Sequence, residues 1–197
     1  MTDKDKPRGR GRPRAFDRDV ALSQAQALFH AHGYEGVGVA ALAIAMGINP
    51  PSLYAAFGSK AALFDEVLGR YARAALPIDA LLSPGTEPTA ALTALLREAA
   101  RIYPSDPQAA GCLVLEGARG ADVEAASCAR HWKIASEQCV RDFLMPTHPA
   151  QADLVADYMV TIMSGLSADA RGGKAADRLI AVADMAGLAI GSILDTA

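Results

Sequence analysis

The chain has 197 residues, of which 51% are hydrophobic, 6% aromatic and 21% charged. This supply of apolar residues, rich in Ala and Leu, excludes a disordered chain and favours a helical globular one with a net charge of −3. No apolar run is long enough to cross a bilayer and the charged N-terminus is not a secretory signal, so we expect a cytoplasmic protein without membrane contact.

The charges are divided unevenly along the chain. Residues 1–60 carry eight basic and five acidic side chains, whereas residues 61–197 carry eleven basic and seventeen acidic ones. A basic end on an acidic body indicates a polyanionic partner at that end, although a solvated tail explains the charge alone equally well.

Residues 1–15 contain Gly, Pro and charge with almost nothing apolar, which predicts a disordered basic arm. Within this arm, residues 6–14 read KPRGRGRPR and resemble an AT-hook, a segment that lies in the minor groove of A·T-rich DNA. Because that groove concentrates negative potential, we expect Arg10, Arg12 and Arg14 to contact DNA. The alternative is a tail that adds only non-specific attraction.

Residues 16–62 are predicted to form a small domain that contains three helices. Asp17 can cap the first helix, which should end at Gly33 because glycine suits the conformation that follows a helix end. The second helix is predicted by apolar residues at helical spacing, namely Val39, Leu42, Ala43 and Met46.

A tight turn should separate the second helix from a short third one. Gly47 tolerates the positive φ that such a turn needs. Asn49 is a good cap and Pro50 suits the first helical position, so the third helix should run from Pro50 to about Phe57. A helix, a turn and a short helix in this order are the geometry of a DNA-reading helix-turn-helix.

A fourth helix should follow, capped by Ser59. Lys60 falls at its start, where backbone N–H groups and the lysine charge together favour an anion. Tyr54 and Phe57 lie on nearly one face of the third helix, so one should pack while the other can offer a hydroxyl to a phosphate. By geometry alone such a cluster is often only structural, and the nearby basic arm favours DNA binding.

The stretch from Ala25 to Leu63, AQALFHAHGYEGVGVAALAIAMGINPPSLYAAFGSKAAL, resembles the DNA-binding domain of the TetR/AcrR family of regulators. A weaker similarity in residues 158–173, YMVTIMSGLSADARGG, concerns the penultimate helix of one branch of that family. The resemblance rests on about a dozen positions in register: Leu28, Phe29, Gly33, Tyr34, Leu42, Ala43, Gly47, Leu53, Tyr54, Phe57, Ser59, Lys60 and Leu63.

The resemblance implies an all-α fold with a helix-turn-helix domain, followed over residues 63–197 by a helical ligand-binding and dimerisation domain. It implies a homodimeric regulator, usually a repressor, that binds a roughly palindromic operator in double-stranded DNA and releases it when a small-molecule effector binds. By position, Tyr54 and Lys60 are the expected phosphate contacts, and residues 49–55 would face the major groove.

The sequence departs from the family pattern in two places, at Gly38 and at the pair Pro50 and Pro51. Gly38 stands where a Ser or Thr usually caps the second helix, and glycine can cap but offers no side-chain contact. Pro50 and Pro51 provide neither a backbone N–H nor a side-chain donor, so they can make only apolar contacts with bases. We therefore expect few direct hydrogen bonds to bases, made mainly by Asn49 and Ser52.

The region after residue 62 is punctuated by Pro and Gly clusters between segments of helical length. The last predicted helix, roughly Ala175–Leu194, carries small residues four apart at Ala183, Gly187 and Gly191, which allow another helix to approach closely. Packing within the chain is one interpretation, but the resemblance favours a dimer interface built from the last two helices.

Candidates for an effector pocket are few. Glu116 follows an apolar run, and His131 and Trp132 share a predicted helix, so these three are the pocket candidates. The three cysteines are more typical of small buried hydrophobic residues than of sensors. A thiol- or metal-responsive regulator on the same fold remains the alternative.

No phosphate-binding glycine loop, metal-spaced His or Cys set, or nucleophile elbow occurs in the sequence. We therefore expect no catalytic residue, no metal and no cofactor, and a regulator rather than an enzyme. A DNA-bending protein that uses the arm alone would not need so large a second domain.

Overall fold

The computed structural model describes residues 17–196, which form ten helices and no strand, and this confirms the predicted all-α fold class. The predicted basic arm, with Arg10, Arg12 and Arg14, lies outside the described residues. The helices are α1 (Arg18–His32), α2 (Val39–Ala45), α3 (Pro50–Phe57), α4 (Lys60–Ala74), α5 (Ile78–Leu81), α6 (Pro88–Ile102), α7 (Leu113–Gly117), α8 (Val123–Leu144), α9 (Ala152–Arg171) and α10 (Ala176–Leu194).

Local capping fixes where the first helices begin. The Asp17 carboxylate accepts hydrogen bonds from the backbone N–H groups of Asp19 and Val20, at 3.0 and 3.2 Å. The Ser59 hydroxyl accepts from the Ala62 N–H at 2.9 Å and starts α4 in the same way. Both predicted caps are confirmed, and each satisfies backbone donors that have no partner inside the helix.

Helices α1 to α4 pack around an aromatic centre. The rings of Phe29 and Phe64 meet edge to face with centroids 5.0 Å apart, and the Tyr34 ring lies 5.1 Å from that of Phe64. Leu42 and Leu53 are fully buried against this centre and bring α2 and α3 onto it. Burying each such side chain stabilises the domain by roughly 1.5–3 kcal/mol.

Helix α4 belongs to both halves of the molecule. Its first turns carry Phe64 into the N-terminal core, and its last turns carry Leu68 and Tyr71 against the C-terminal helices. Gly69 lets the Trp132 ring of α8 approach the α4 backbone, since a Cβ at this position would lie 2.6 Å from the ring. The boundary predicted after residue 62 therefore falls inside one continuous helix.

Helices α6, α8, α9 and α10 form the C-terminal bundle, and α6 packs along the length of α10. The small residues of α10 make this close approach possible. A Cβ on Gly187 would lie 2.4 Å from Oγ1 of Thr93, and one on Gly191 would lie 3.2 Å from Cγ2 of Thr89. Ala183 is completely buried in the same chain.

The prediction that Ala183, Gly187 and Gly191 form a dimer interface is therefore wrong for these three residues. They face α6 of their own subunit, because only small side chains fit between two helices this close. The opposite face of α10, which we call its outer face, exposes three large apolar side chains instead: Val182, Met185 and Leu188.

Within residues 17–196, none of the helices alone has both the length and the hydropathy that a membrane span requires. Helices α2 and α3 meet the criteria only as a bent pair, and only by length and composition.

Candidate nucleic-acid interface and internal cavity

Helices α2 and α3 meet at 90° across a turn formed by residues 46–49. Gly47 adopts a φ of 65°, as the turn was predicted to require, and the Ile48 N–H donates to the Ala43 carbonyl at 3.0 Å. A side chain at residue 47 would strain this conformation, so glycine sets the angle between the two helices. Gly38 occupies the N-cap of α2 without a side-chain hydrogen bond, as expected.

The start of α3 is held by its own side chains. The Asn49 side-chain oxygen accepts from the Ser52 N–H at 2.8 Å, and Pro50 occupies the first helical position. Because its oxygen already accepts from the helix, the amide NH₂ of Asn49 is the group most free to contact a base.

The two faces of α3 have different environments. Leu53 is completely buried and Phe57 is 5% exposed, whereas Tyr54 is 49% exposed. The prediction that one of the two aromatic residues packs and the other stays available is therefore confirmed. The exposed face, which we call the reading surface, consists of Asn49, Pro50, Pro51, Ser52, Tyr54 and Ala55.

The reading surface carries no formal charge. No Asp, Glu, Lys or Arg occurs anywhere in residues 36–59. Attraction to phosphates is mainly a matter of lysine and arginine charge. This part of the helix-turn-helix can therefore contribute hydrogen bonds and shape, while the basic residues that flank it must contribute the charge.

Arg18 is a flanking basic residue whose role the sequence patterns did not reveal. Its guanidinium donates to the Ala56 carbonyl at 2.8 Å, pairs with Glu66 at 2.6 Å and lies over the Phe57 ring, 4.4 Å from the centroid. Arg18 thus ties the start of α1 to the end of α3 and to α4. Its side chain positions the reading surface.

Lys60 faces inward in this structure. Its ammonium donates to the Tyr34 carbonyl at 2.7 Å and lies 3.8 Å from the centroid of the Tyr34 ring. Partial burial lowers the pKa of Lys60, and burial is also the main reason that the pKa of Tyr34 is raised to about 12. The predicted phosphate contact requires the lysine side chain to leave these partners.

An internal cavity of about 60 Å³ lies in the C-terminal bundle, and residues of α4, α6, α7, α8 and α9 line it. Its wall is mostly aliphatic, with contributions from Leu95, Val140 and Met159. Buried residues that bring polar atoms to the wall are Tyr71, Tyr103 and Cys112.

None of the three predicted pocket residues lines this cavity. Trp132 donates from Nε1 to Asp65 at 2.9 Å and lines a shallower pocket of about 280 Å³ beside it. Glu116 accepts from the Ser167 hydroxyl at 2.7 Å and lines a separate pocket of about 50 Å³. His131 is exposed, and its ring meets the Trp132 ring edge to face, with centroids 5.7 Å apart. Two of the three predicted pocket residues therefore line neighbouring pockets instead, and a role in binding an effector stays a prediction.

Polar contacts from Glu35 and His30 join the N-terminal helices to the C-terminal bundle. The Glu35 carboxylate accepts from the backbone N–H groups of Ala121 and Asp122 at the start of α8, at 2.7 and 3.0 Å. The ring of His30 hydrogen-bonds the Gly111 carbonyl at 3.2 Å, next to Cys112 in the cavity wall. Burial lowers the pKa of His30, which favours the neutral ring. The cavity wall is therefore linked to α1 through a single peptide unit.

Within the described residues, no group of three or more His, Cys, Asp or Glu side chains is arranged to hold a metal ion.

The perpendicular pair α2 and α3, with its outer side free, defines a DNA-binding protein of the helix-turn-helix class. Comparison with known proteins supports this class. Residues 21–67 match the model of "Bacterial regulatory proteins, tetR family". The HTH-type transcriptional repressor BdcR of Escherichia coli K12 is 46% identical over 151 residues, which are 76% of this chain and 77% of that protein.

Solved structures agree. The TetR family transcriptional regulator CifR, in a complex of a cysteine mutant with 26-bp double-strand operator DNA, is 36% identical, with a TM-score of 0.76 over 90% of this chain and 99% of that one. A TetR regulator from Chloroflexus aurantiacus, at 22% identity and a TM-score of 0.69 over 88% of this chain and 93% of that one, shows the shared fold. The chain belongs to the TetR family of DNA-binding transcription regulators. This membership confirms the family resemblance and the prediction of a regulator rather than an enzyme.

Proposed function

We propose that the chain is a homodimeric repressor that leaves a roughly palindromic operator when a small molecule binds its C-terminal bundle. The observation that carries the proposal is the reading surface, an exposed helix face whose opposite side is fully packed. BdcR is named a repressor, and CifR has been solved on operator DNA, which supports the same role for this chain.

Two copies of the chain would meet through the outer face of α10. Its three apolar side chains are spaced three residues apart, so they form one stripe along the helix. A two-fold interface would use this stripe on both subunits and place two reading surfaces on one side of the DNA.

Operator contacts are proposed in two groups. Asn49, Pro50, Pro51 and Ser52 would face the bases, where the prolines can contact only thymine methyl groups. Gly38, Tyr54 and Lys60 would face the phosphates, through a backbone N–H, a hydroxyl and an ammonium respectively. Selection of bound sequences from random DNA tests the proposal, since failure to enrich any site would refute it.

Replacing Tyr54 with phenylalanine should weaken binding to the selected operator and to random DNA by the same factor, about fivefold. The reason is that a phosphate contact positions the protein without specifying a base, and one neutral hydrogen bond contributes about 1 kcal/mol. Fluorescence anisotropy on both DNAs measures the effect. Ser52→Ala is the matched control and should weaken binding to the operator only. If Tyr54→Phe lowered operator affinity alone, Tyr54 would be a base contact.

Deleting residues 1–14 should lower affinity more on operators flanked by A·T than on those flanked by G·C. Arg10, Arg12 and Arg14 are proposed to enter the narrow minor groove that A·T-rich flanks provide. Deletion should also reduce the slope of affinity against salt concentration, because the reading surface offers no charge of its own. An equal loss of affinity on both kinds of flank would show that the arm is only a non-specific basic tail.

The thiol-responsive alternative has less support. Only Cys112 is fully buried, whereas Cys128 is half-buried and Cys139 is exposed, so the expected burial holds for one of the three. Loss of water around the sulfur raises the pKa of all three thiols. The thiolate is the reactive form of cysteine, and a raised pKa keeps it scarce at neutral pH.

A further inference from the structure

The internal cavity contains an unsatisfied polar group. Tyr103 is 1% exposed and lines the cavity, and its hydroxyl has no well-aligned hydrogen-bond partner among residues 17–196. Its polar neighbour is the Cys112 thiol, which is only a weak hydrogen-bonding group. Nearly all buried polar side-chain atoms in proteins have a partner, because an unmade hydrogen bond in a dry interior is unfavourable. The folded protein therefore keeps an unfavourable group at this position, next to Cys112 and Tyr71 in the same wall.

The remaining wall excludes charged ligands. Among the described residues that line the cavity, Lys133 alone is charged, and its ammonium is already paired with Glu137 at 3.0 Å. A charged ligand would have to lose its water without gaining an unpaired counter-charge, which is strongly unfavourable. The other side chains are mainly aliphatic and suit an apolar body.

The cavity has an adjoining approach route. The shallower pocket of about 280 Å³ shares Ala72, Leu76, Ile78 and Ser136 with the cavity wall, and Trp132 lines its outer part. The cavity of about 60 Å³ is itself smaller than the roughly 150 Å³ site that holds benzene in another protein. A molecule of a few non-hydrogen atoms fits the inner space, and the outer pocket can take an extension.

We propose that the internal cavity binds a small uncharged organic molecule with an apolar body and one oxygen acceptor, and that the Tyr103 hydroxyl donates to that acceptor. This inference rests on the proposed function, because it names the chemical class of the effector. The oxygen would satisfy the buried hydroxyl at the place where the wall joins Gly111 and, through it, His30 of α1.

Three probes of nearly equal shape and five non-hydrogen atoms test the inference: butan-2-one, 2-methylbut-1-ene and propanoate. The readout is NMR of the full chain without DNA, labelled at the methionine methyl groups. Met159 and Met163 line the cavity, while Met145 is exposed at the end of α8 and reports non-specific effects.

The ketone should shift the signals of Met159 and Met163 saturably and bind about fivefold more tightly than the alkene, as expected for one hydrogen bond. Propanoate should not shift them. Equal affinity for ketone and alkene, or competition by propanoate, would overturn the proposal. Because no DNA is present, these outcomes are independent of operator binding, which anisotropy measures separately.

Tyr103→Phe should remove the preference for ketone over alkene, and Tyr71→Phe, which deletes the neighbouring hydroxyl, should retain it. Removing the unsatisfied hydroxyl should also raise the melting temperature of the ligand-free protein by about 2–4 °C. A variant that keeps the full ketone preference, or melts lower than the wild type, would show that the Tyr103 hydroxyl is not the donor.

Discussion

Replacing Leu188 with glutamate should convert the protein to a monomer and weaken operator binding by about 100-fold or more. Leu188 is 78% exposed and Met185 is 70% exposed, although both are large and apolar. In the proposed dimer they meet their copies across a two-fold axis, so one substitution places two charges in the centre of an apolar contact. A monomer loses the second reading surface and the gain in effective concentration that comes with it.

Sedimentation measures the change in assembly, and anisotropy on the selected operator measures the change in affinity. Ile134→Glu is the matched control, because Ile134 is 58% exposed on α8 and lies outside the proposed interface. The control should remain dimeric. An unchanged dimer for the Leu188 variant would place the interface elsewhere.

Replacing Gly187 with leucine should destabilise the fold of each subunit rather than separate two subunits. The first atom of the new side chain would already lie 2.4 Å from Thr93 Oγ1 and 2.7 Å from its Cγ2, so α6 and α10 must move apart. Overpacking of this kind costs about 3 kcal/mol or more, and the melting temperature should fall by about 6–12 °C.

The smaller change Gly187→Ala tests the cause. It makes the same first contact, and combining it with Thr93→Ala removes both of the nearest atoms, so the double variant should recover most of the lost stability. Thermal melts at one protein concentration give all four corners of the cycle. If the Gly187→Leu variant melted like the wild type but sedimented as a monomer, Gly187 would have to lie in the dimer interface.

Much of the N-terminal domain could be predicted because its determinants are local. Asp17, Asn49 and Ser59 each cap a helix through N–H groups two or three residues away, and Gly47 bends the turn through its own φ. Each of these residues lies within a few positions of the helix end or turn that it determines. Such signals can therefore be recognised in a single sequence.

The direction of the α10 small-residue face could not be predicted from the sequence. A row of small residues permits a close approach by any helix, and nothing in α10 says whether that helix belongs to the same subunit. The deciding residue is Thr93, which lies in α6 nearly a hundred positions earlier. The large exposed side chains of the outer face were the more informative signal, because burying them requires a partner.

The internal cavity was missed for a related reason. Its wall is assembled from ordinary apolar residues of several distant helices. Glu116 was a candidate because it follows an apolar run, and His131 and Trp132 because they share a predicted helix. Tyr103 became informative only when its burial and its lack of a well-aligned hydrogen-bond partner were known. Lys60 likewise required the position of Tyr34, which precedes it by two helices.

The absence of charge from residues 36–59 has a consequence for how fast the protein finds and leaves its operator. Encounter with DNA is accelerated by long-range attraction to phosphates, to which an uncharged helix pair adds little. The association rate should therefore be set by the basic residues outside that segment and should fall steeply with salt. The residence time on the operator should depend on the neutral contacts of α3 and vary much less with ionic strength.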